Sequence, residues 1–460
     1  YLNIIMKSSR EDFKMKLNYK NTILVGLAFL AITAFWQLYD NVIPLILTNT
    51  FKLNETISGV IMAADNILAL FLLPVFGRLS DKTKTRIGKR MPYILGGTAA
   101  AVILINILPV IDDKFASGVN GVFYSVTGFI IVLGLLLFTM SVFRSPAVAL
   151  MPDITPKPLR SKGNAIINLM GAAGGIIYLA FTAVMYPKSK TEGMEHVSYR
   201  LLFIFISVVM VLAAVIMLFT VKENKLSEEN ERIEKEHPEW DLTEDTGSGT
   251  SKLPAPVFRS MIFLLLSICL WYIAYNAVTT WFTTYIKALM GEDIGGASTC
   301  FLIANVGAII SYIPLGALAS KIGRKKSIYM GTLVLTFTFG LSFILTTTMK
   351  SLNIVMFIVF ALVGFAWAAI SINSLPMVVE MCKGADSGKF TGYYYTAAMA
   401  GQVITPVLAG TLMRHIDYKV LFIYSTIFAF LSFVTMIFVR HGDIKAEKTT
   451  GLQAFEDLDS

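Results

Sequence analysis

The sequence predicts an all-α membrane protein in which twelve spanning helices form two bundles of six. Hydrophobic residues make up 55% of the 460 positions and charged residues only 15%, so most of the chain must contact something other than water. Apolar runs of about 20 residues or more recur along nearly the whole length, and each can cross a hydrocarbon core of about 30 Å. Because lipid offers no partner for backbone N–H and C=O groups, these runs are expected to be helices.

The predicted spans are separated by short polar connectors and by one longer polar interval that divides them six and six. The spans are expected at residues 22–48, 56–79, 92–111, 122–149, 163–186, 200–221, 258–288, 297–319, 327–348, 353–379, 390–413 and 419–440. The predicted organisation is a segment at 1–21, a bundle at 22–221, a linker at 222–257, a bundle at 258–440 and a tail at 441–460. In the linker, SEENERIEKEHPEW is expected to be a charged helix and DTGSGTSKLPAP a flexible tether, although the acidic part could also bind a partner.

The distribution of Lys and Arg predicts the orientation. Fifteen of these residues lie in connectors on the side of both termini, and eight lie in connectors on the opposite side. By the positive-inside rule, both termini are expected to be cytoplasmic. The first apolar run is longer than the apolar core of a signal peptide, which has 7–15 residues, so it is expected to remain as a span of a plasma (cell inner) membrane protein.

Several function classes are disfavoured. The net charge of +8 is concentrated in connectors and not on an amphipathic face, so no nucleic-acid partner is expected. The three cysteines, Cys269, Cys300 and Cys382, have no metal-like spacing, and there is no phosphate loop or nucleophile elbow. We therefore expect a monomer that is not an enzyme, has no metal or cofactor, and has membrane lipid and a small solute as its partners.

The two halves look like copies of each other. GRLSDKTKTRIGKR at residues 77–90 recurs as GALASKIGRKK at residues 316–326. The matched pairs are Gly77 and Gly316, Ile87-Gly88 and Ile322-Gly323, Pro146 and Pro376, and Gly163 and Gly392. Transporters built from repeats show such halves, with the substrate site between them near the middle of the membrane.

The basic loop after the second helix of each half resembles the signature loop of the major facilitator superfamily. Gly77 allows close helix approach, and Asp81 can accept hydrogen bonds from Arg86, Arg90 or a helix N-terminus. Such ion pairs suit a latch at a cytoplasmic gate, whereas an anchor to anionic lipid would explain the charge but not the glycines and Asp81. The expected gate residues are Gly77, Asp81, Arg86, Gly88, Arg90, Gly316, Gly323 and Arg324.

The longer form of this loop narrows the resemblance. PVFGRLSDKTKTRIGKRMPYI at residues 74–94 is similar to the pattern of the glycoside-pentoside-hexuronide cation symporters, especially their sucrose-transporter branch. The similarity continues in WQLYDNVIPLIL at 36–47, RSPAVALMPD at 144–153 and RSKGNAI at 160–166. It implies the major facilitator fold and cation-coupled uptake of glycosides by alternating access.

Two departures from that family affect the coupling site. In the melibiose-permease branch, an acidic pair in the second helix binds the coupling cation, and the matching positions here are Ala69 and Leu73. That sodium site is absent. Sucrose-type members often carry an acid in the fourth helix, where this chain offers Arg144. The coupling site must therefore lie elsewhere.

Asp40 and Asp65 are the candidates for binding the coupling ion, H⁺ or Na⁺. An ionisable side chain at membrane depth costs at least ~2.5–3.5 kcal/mol, so each one is a functional candidate. Gln37, Asp40, Asn41 and Pro44 share one face of the first helix, which is expected to face a central cavity. A carboxyl that alternates between water and a closed cavity can take up and release a proton. Alternatively, either aspartate is a permanent structural charge paired with Arg144.

Aromatic and amide side chains within the spans are the candidates for binding a sugar. Tyr272, Tyr275, Asn276 and Thr279 are spaced so that they share one helix face. Rings pack on the apolar faces of pyranoses, and amides bind their hydroxyls, although a single aromatic could equally be a packing or interfacial residue. The full candidate set is Trp36, Gln37, Asn41, Asn66, Arg144, Asn168, Tyr178, Tyr272, Tyr275, Asn276, Trp367, Asn373, Tyr394, Tyr395 and Gln402.

The function expected from these patterns is symport of a glycoside such as a disaccharide, coupled to a cation expected to be H⁺. A carrier or exporter of another amphipathic solute or lipid on the same fold is the alternative. A membrane sensor without transport is disfavoured because the chain has no sizeable soluble domain.

Overall fold

The computed structural model describes residues 17–237, 254–349, 351–381 and 387–442. Twelve helices in these ranges are long and apolar enough to cross a membrane, which confirms the predicted class and number of spans. They are α1 Tyr19–Leu45, α2 Glu55–Lys82, α3 Met91–Ala116, α4 Val126–Asp153, α5 Arg160–Met185, α6 Arg200–Thr220, α7 Ala255–Met290, α8 Ile294–Ile322, α9 Arg324–Thr348, α10 Ile354–Val379, α11 Ser387–His415 and α12 Val420–Ile437. Most of the segment predicted at 1–21, the flexible part of the linker and most of the tail lie outside the described residues.

Three shorter helical pieces and one π-helical turn supplement the spans. The charged part of the linker forms the helix Glu223–Glu236, here called the linker helix, as its sequence predicts. A single turn, Lys188–Thr191, lies between α5 and α6, and Lys157–Leu159 is a 3₁₀ turn before α5. Just after Pro44, α1 continues as a π-helical turn, Ile46–Thr50.

Polar N-caps fix where four helices begin. The side chains of Asn54, Ser125, Asp293 and Asn353 accept hydrogen bonds from backbone N–H groups at the starts of α2, α4, α8 and α10. Such caps satisfy donors that a helix cannot satisfy itself. Because α2 corresponds to α8 and α4 to α10, the caps occupy equivalent positions in the two halves.

Helix packing repeats between the halves. In the first half, α1 packs on α5 and α6, α4 packs on α2 and α3, and α3 packs on α6. In the second half, α7 packs on α11 and α12, α10 packs on α8 and α9, and α9 packs on α12. Between the halves, α2 packs on α11, α5 on α8 and α1 on α7. Each of these pairs has a counterpart six helices away. The matched pairs Gly77 and Gly316, Pro146 and Pro376, and Gly163 and Gly392 lie on corresponding helices, and Gly88 and Gly323 lie in corresponding connectors.

The outer surface of the spans is apolar. Phe71, Ile103 and Phe337 are each more than 60% exposed. Large apolar side chains on the outside suit hydrocarbon and would be unfavourable in water. The molecule is therefore an integral, multi-pass membrane protein.

Hydrogen bonds and ion pairs between the two bundles cluster toward one face. We call the face where α1 begins and α12 ends the terminal face, and the opposite face the distal face. On the distal side, Lys188 Nζ lies 3.4 Å from Glu292 Oε1, and the Tyr199 hydroxyl donates to Asp293 Oδ1 at 3.4 Å. These contacts join the loop between α5 and α6 to the start of α8.

The contact between α2 and α11 also closes the distal side. The Tyr418 hydroxyl donates to the Glu55 carboxylate, and burial together with that carboxylate raises the pKa of Tyr418, which keeps the phenol neutral as a donor. Gly59 of α2 lies against the backbone carbonyl of Pro406, where a Cβ would overlap it. The two helices therefore approach backbone to backbone.

The signature loop at the terminal face is organised around Arg90. Its buried guanidinium bonds Asp81 at the end of α2, and its Nε donates to Asp153 Oδ2 at the end of α4 at 2.8 Å. It also donates to the Gly77 carbonyl at 3.1 Å. Of the partners expected for Asp81, the structure shows Arg90, while Arg86 is exposed. These contacts tie α2, α3 and α4 together within one bundle.

The linker helix is docked on this loop. The buried Glu223 carboxylate accepts hydrogen bonds from the backbone N–H groups of Lys89, Arg90 and Met91 at 2.7–2.9 Å. It therefore caps the start of α3. Arg160 and Glu234 form a second attachment at 2.9 Å. The acidic helix thus belongs structurally to the first bundle.

The connector between α8 and α9 in the second half is the counterpart of the signature loop and has a similar arginine–carboxylate ion pair. Gly323 adopts a positive φ of 96° between α8 and α9, a conformation that favours glycine. Arg324 then pairs with Glu380 at the end of α10 at 3.0 Å. Arg90 and Arg324 therefore bind acidic residues at the ends of the corresponding helices α4 and α10.

We predict that Arg90→Ala strongly destabilises the protein. The change removes the shared cation of Asp81 and Asp153. Because the Asp81 side chain is 57% exposed and Asp153 keeps Lys89 at 3.2 Å, the expected cost is the loss of charged hydrogen bonds, about 1–3 kcal/mol. The midpoint of thermal unfolding in detergent should fall by several degrees. Arg86→Ala, which removes an exposed arginine from the same loop, is the matched control. Equal midpoints for both variants would contradict the role assigned to Arg90.

Candidate functional site

A cavity of about 790 Å³ lies between the two bundles, about midway along most of the spanning helices that line it. Seven helices of both halves line most of it: α1, α4, α5, α7, α8, α10 and α11, with one residue from α2. On α8 the lining residues lie on the terminal side of Glu292 and Asp293, and on α11 they lie on the terminal side of Pro406. The arrangement is that of a carrier closed at its distal face, with its cavity on the terminal side.

The first bundle supplies polar groups and one large ring to the cavity. Of the predicted face of α1, Gln37, Asp40 and Asn41 line the cavity, whereas the buried Pro44 does not. Trp36, which is not part of that face, also lines it. The Trp36 ring packs edge-on against Tyr39 at 5.4 Å. Across from α1, Asn168 of α5 contributes its amide. The Trp36 Nε1 and Asn168 Nδ2 donors are buried and have no hydrogen-bond partner among the described residues, so a side-chain rotation toward the cavity would let them bind a solute.

The second bundle supplies an aromatic wall. Tyr272, Tyr275, Asn276 and Thr279 of α7 all line the cavity, which agrees with their shared helix face. The Tyr275 ring lies 4.1 Å from that of Trp367 on α10, with 32° between the planes. Tyr395 and Gln402 of α11 complete this side. The wall thus presents rings next to amides.

Charged groups of the first bundle interact at the cavity. The Arg144 guanidinium lies over the Trp36 ring at 5.8 Å from its centre. Arg144 also interacts electrostatically with Asp65, and Asp65 with Asp40. Asp65 accepts a hydrogen bond from Asn66 Nδ2 at 2.9 Å. Asp40 lines the cavity, whereas Asp65 lies outside the lining.

Asn41 has a structural role that its sequence position does not reveal. Its Nδ2 donates to the Gln37 carbonyl at 2.8 Å, and its Oδ1 accepts from Thr283 of α7 at 3.1 Å. Both ends of the amide are therefore engaged within the protein. Asn41 joins α1 to α7 at the distal end of the cavity.

Four candidates for solute contact lie outside the cavity lining: Asn66, Tyr178, Asn373 and Tyr394. Asn373 is buried and donates to the Ala369 carbonyl of its own helix, and Tyr394 is buried beside Ser374. Tyr178 is buried in the core of the first bundle. Helical spacing identifies residues that share a face, but it does not show which neighbouring helix that face meets.

Sequence reasoning missed the contribution of α8. Asn305 and Tyr312 line the cavity together with Phe301, Ala308 and Ile309. These residues follow a helical repeat on one face of α8. A single amide within that apolar run was the available signal. Thr33 of α1 was missed for the same reason, because one hydroxyl is a weak signal in an apolar helix.

A family comparison assigns this fold. The family model described as Major Facilitator Superfamily matches residues 25–304 and 289–456. The chain belongs to the major facilitator superfamily. The match covers the superfamily as a whole and does not select the glycoside–cation symporter branch. A twelve-helix membrane transporter is therefore established, and its small-molecule solute is not specified by the family.

Known relatives span nearly the whole chain. An uncharacterised MFS-type transporter of Methanocaldococcus jannaschii is 22% identical over 441 residues, which cover 95% of this chain and 98% of that protein. Multidrug resistance protein 2 of Bacillus subtilis is 24% identical over 420 residues, 89% of this chain and 93% of that protein.

Solved transporters share the fold. A bacterial homologue of the iron transporter ferroportin in an inward-facing state superposes with a TM-score of 0.66 at 15% identity, covering 92% of this chain and 99% of that chain. The nucleoside transporter NupG gives a TM-score of 0.63 at 14% identity, covering 91% and 100%. At these identities, the likeness concerns architecture alone.

We predict that the cavity of this facilitator protein is reached from the terminal face. In a background without the native cysteines, the Val148→Cys variant, on the cavity wall, should react with a membrane-impermeant maleimide added at that face. The Thr283→Cys variant should stay unlabelled, because Thr283 is buried at the distal end of the cavity. Labelling in oriented membrane vesicles measures both. Reaction of Val148→Cys only from the distal face would contradict the description of the cavity.

Proposed function

We propose that this protein is a proton-coupled symporter of a glycoside that works by alternating access in the plasma membrane. The observation that carries the proposal is the cavity, which brings Asp40 together with amides and aromatic rings from both bundles. With the termini on the cytoplasmic side, as the positive-inside rule predicts, the structure corresponds to an inward-facing state.

The chemistry of the walls supports a sugar as the solute. The Tyr275 and Trp367 rings offer flat apolar surfaces that can pack on a pyranose. The Trp36 Nε1 and Asn168 Nδ2 donors can bind hydroxyl oxygens, and Gln402 and Asn276 add further amides. The volume of about 790 Å³ falls in the range of small-molecule sites and can hold a disaccharide.

The two aspartates support coupling to a cation. Repulsion between carboxylates held away from water favours binding of a positive ion, and H⁺ is the ion that we propose. Asp40 is placed to sense the solute because it lies in the cavity wall. Arg144 is placed to compensate Asp65. Ion and solute would thus act on one connected group of charges.

Export of an amphipathic solute is the second candidate. Similarity to Multidrug resistance protein 2 of Bacillus subtilis supports it. Apolar side chains also form much of the cavity wall, among them Phe29, Ile32 and Phe301. A large ring next to a cation, as in Trp36 and Arg144, suits an amphipathic anion as well as a sugar.

We predict that purified protein in proteoliposomes accumulates a labelled glycoside from a panel of disaccharides when a proton gradient is imposed. Asp40→Asn and Asp65→Asn should each abolish accumulation driven by the gradient while keeping solute exchange, because exchange needs no net movement of the ion. Asp417→Asn, an exposed change in a distal connector, is the control.

Several outcomes would contradict this proposal. Absence of uptake for every glycoside would overturn the solute class, and efflux of amphipathic dyes would then favour the exporter. Uptake that follows a sodium gradient and not a proton gradient would replace the ion. Coupling unchanged in both aspartate variants would overturn the coupling site.

The aromatic wall gives a separate prediction. Tyr275→Ala should weaken glycoside affinity about tenfold, which corresponds to about 1.4 kcal/mol of lost ring contact. Tyr275→Phe keeps the ring and should change affinity by less than about threefold. Equilibrium binding by the detergent-solubilised protein measures both. Equal weakening by both variants would show that the hydroxyl, and not the ring, makes the contact.

A further inference from the structure

We propose that Asp112, Asp113 and His196 form a binding site for a divalent transition-metal cation at the distal face. The two aspartates lie in the last turns of α3, and His196 lies in the loop that joins α5 to α6, here called the α5–α6 loop (residues 186–199). The structure brings together side chains that are more than 80 positions apart in the chain. This site is separate from the transport cavity.

The distances between donor atoms fit a single ion. His196 Nε2 lies 3.1 Å from Asp113 Oδ1 and 3.7 Å from Asp112 Oδ2, and all three donors lie within 4.8 Å of one another. Metal–ligand bonds of about 2.0–2.2 Å place neighbouring ligands about 3.0–3.5 Å apart. The His196–Asp113 pair already has this spacing, and the other two pairs, which lie within 4.8 Å, would reach it by side-chain rotation.

The state of Asp112 is an independent observation that points to a ligand. Asp112 is fully buried, and among the described residues no hydrogen bond of ordinary length and angle reaches either of its carboxylate oxygens. The Thr50 side chain is near enough to interact with this carboxylate but does not meet that geometry. Buried carboxylates are normally paired, hydrogen-bonded or bound to a metal. A cation held between Asp112 and the two more accessible ligands would satisfy it.

The ligand set indicates the class of metal. An imidazole nitrogen with two carboxylates suits Zn²⁺ and its neighbours such as Co²⁺ and Ni²⁺, whereas Ca²⁺ and Mg²⁺ prefer oxygen ligands alone. Ser198 Oγ donates to Asp113 Oδ2 at 3.0 Å and orients that carboxylate. Such outer contacts tune metal affinity.

An ion can reach the cluster from the distal face. A pocket of about 380 Å³ adjoins it and is lined by His196, Glu195 and Tyr199. Lys52 and Lys287 also line this pocket, and Lys287 lies 3.6 Å from Asp293. These lysines place positive charge near the entrance, which does not attract a cation. A cation would therefore be held by bonds to its ligands and not by the electrostatic potential of the surface.

A cation bound at this site would affect the α5–α6 loop, which forms part of the distal contact between the bundles. The α5–α6 loop carries Tyr186, Lys188 and Tyr199, which make contacts with the start of α8. A metal bound by His196 and the aspartates would fix this loop to α3. The distal closure would then rest on an ordered loop, and the metal would stabilise the state in which the cavity lies on the terminal side.

Metal binding to the full-length, tag-free protein in detergent tests this proposal. Titration with Zn²⁺, followed by calorimetry and by elemental analysis after gel filtration, should give one ion per protein. His196→Gln and Asp113→Asn should each weaken binding at least about tenfold, and Ser198→Ala, which removes only an outer contact, should weaken it less than either. His415→Gln, which removes a histidine from the same face outside the cluster, should leave it unchanged.

A spectroscopic measurement keeps the test independent of folding. X-ray absorption of the zinc-loaded protein should show mixed nitrogen and oxygen ligation and no sulfur. Zinc should also raise the midpoint of thermal unfolding in the unaltered protein but not in His196→Gln. The proposal is overturned if the unaltered protein binds no stoichiometric zinc. It is equally overturned if His196→Gln and Asp113→Asn bind zinc as tightly as His415→Gln.

Discussion

The structure depends on one constraint, which is that hydrocarbon cannot form hydrogen bonds with polar groups. Every backbone N–H and C=O in a span must find its partner within the protein, which makes the spans helices. The same constraint places polar side chains between helices, because charge facing lipid is costly. The cavity follows from this rule. Asp40, Arg144 and the amides of α1, α5, α7 and α11 can be accommodated only where two bundles leave a space between them.

The locations of the polar contacts explain how such a structure can move. At the terminal face, Arg90 and Arg324 bind acidic partners within their own bundles. At the distal face, Lys188 and Tyr199 bind acidic partners across the bundle boundary. Contacts of the first kind keep each bundle intact as a body. In the alternating-access cycle proposed above, contacts of the second kind would have to break for the distal side to open.

The two halves share their packing but not their chemistry. Equivalent helices make equivalent contacts, yet the cavity carboxylate and Arg144 come from the first half, whereas the paired rings of Tyr275 and Trp367 come from the second. The two halves therefore pack in the same way, whereas the residues that line the cavity differ between them. This difference is why superfamily membership establishes transport but leaves the solute to be argued from the cavity.

The sequence by itself determined the twelve helices, their division into two halves and several cavity residues, because hydropathy and helical spacing are local properties. The face formed by Tyr272, Tyr275, Asn276 and Thr279 is one example. Only the tertiary structure decided that Asn41 bonds Thr283, that Tyr178 and Asn373 are buried in packing, that Asn305 reaches the cavity and that His196 meets Asp112. The physical reason is that a helical repeat fixes which residues share a face, whereas the neighbour of that face depends on how distant helices pack.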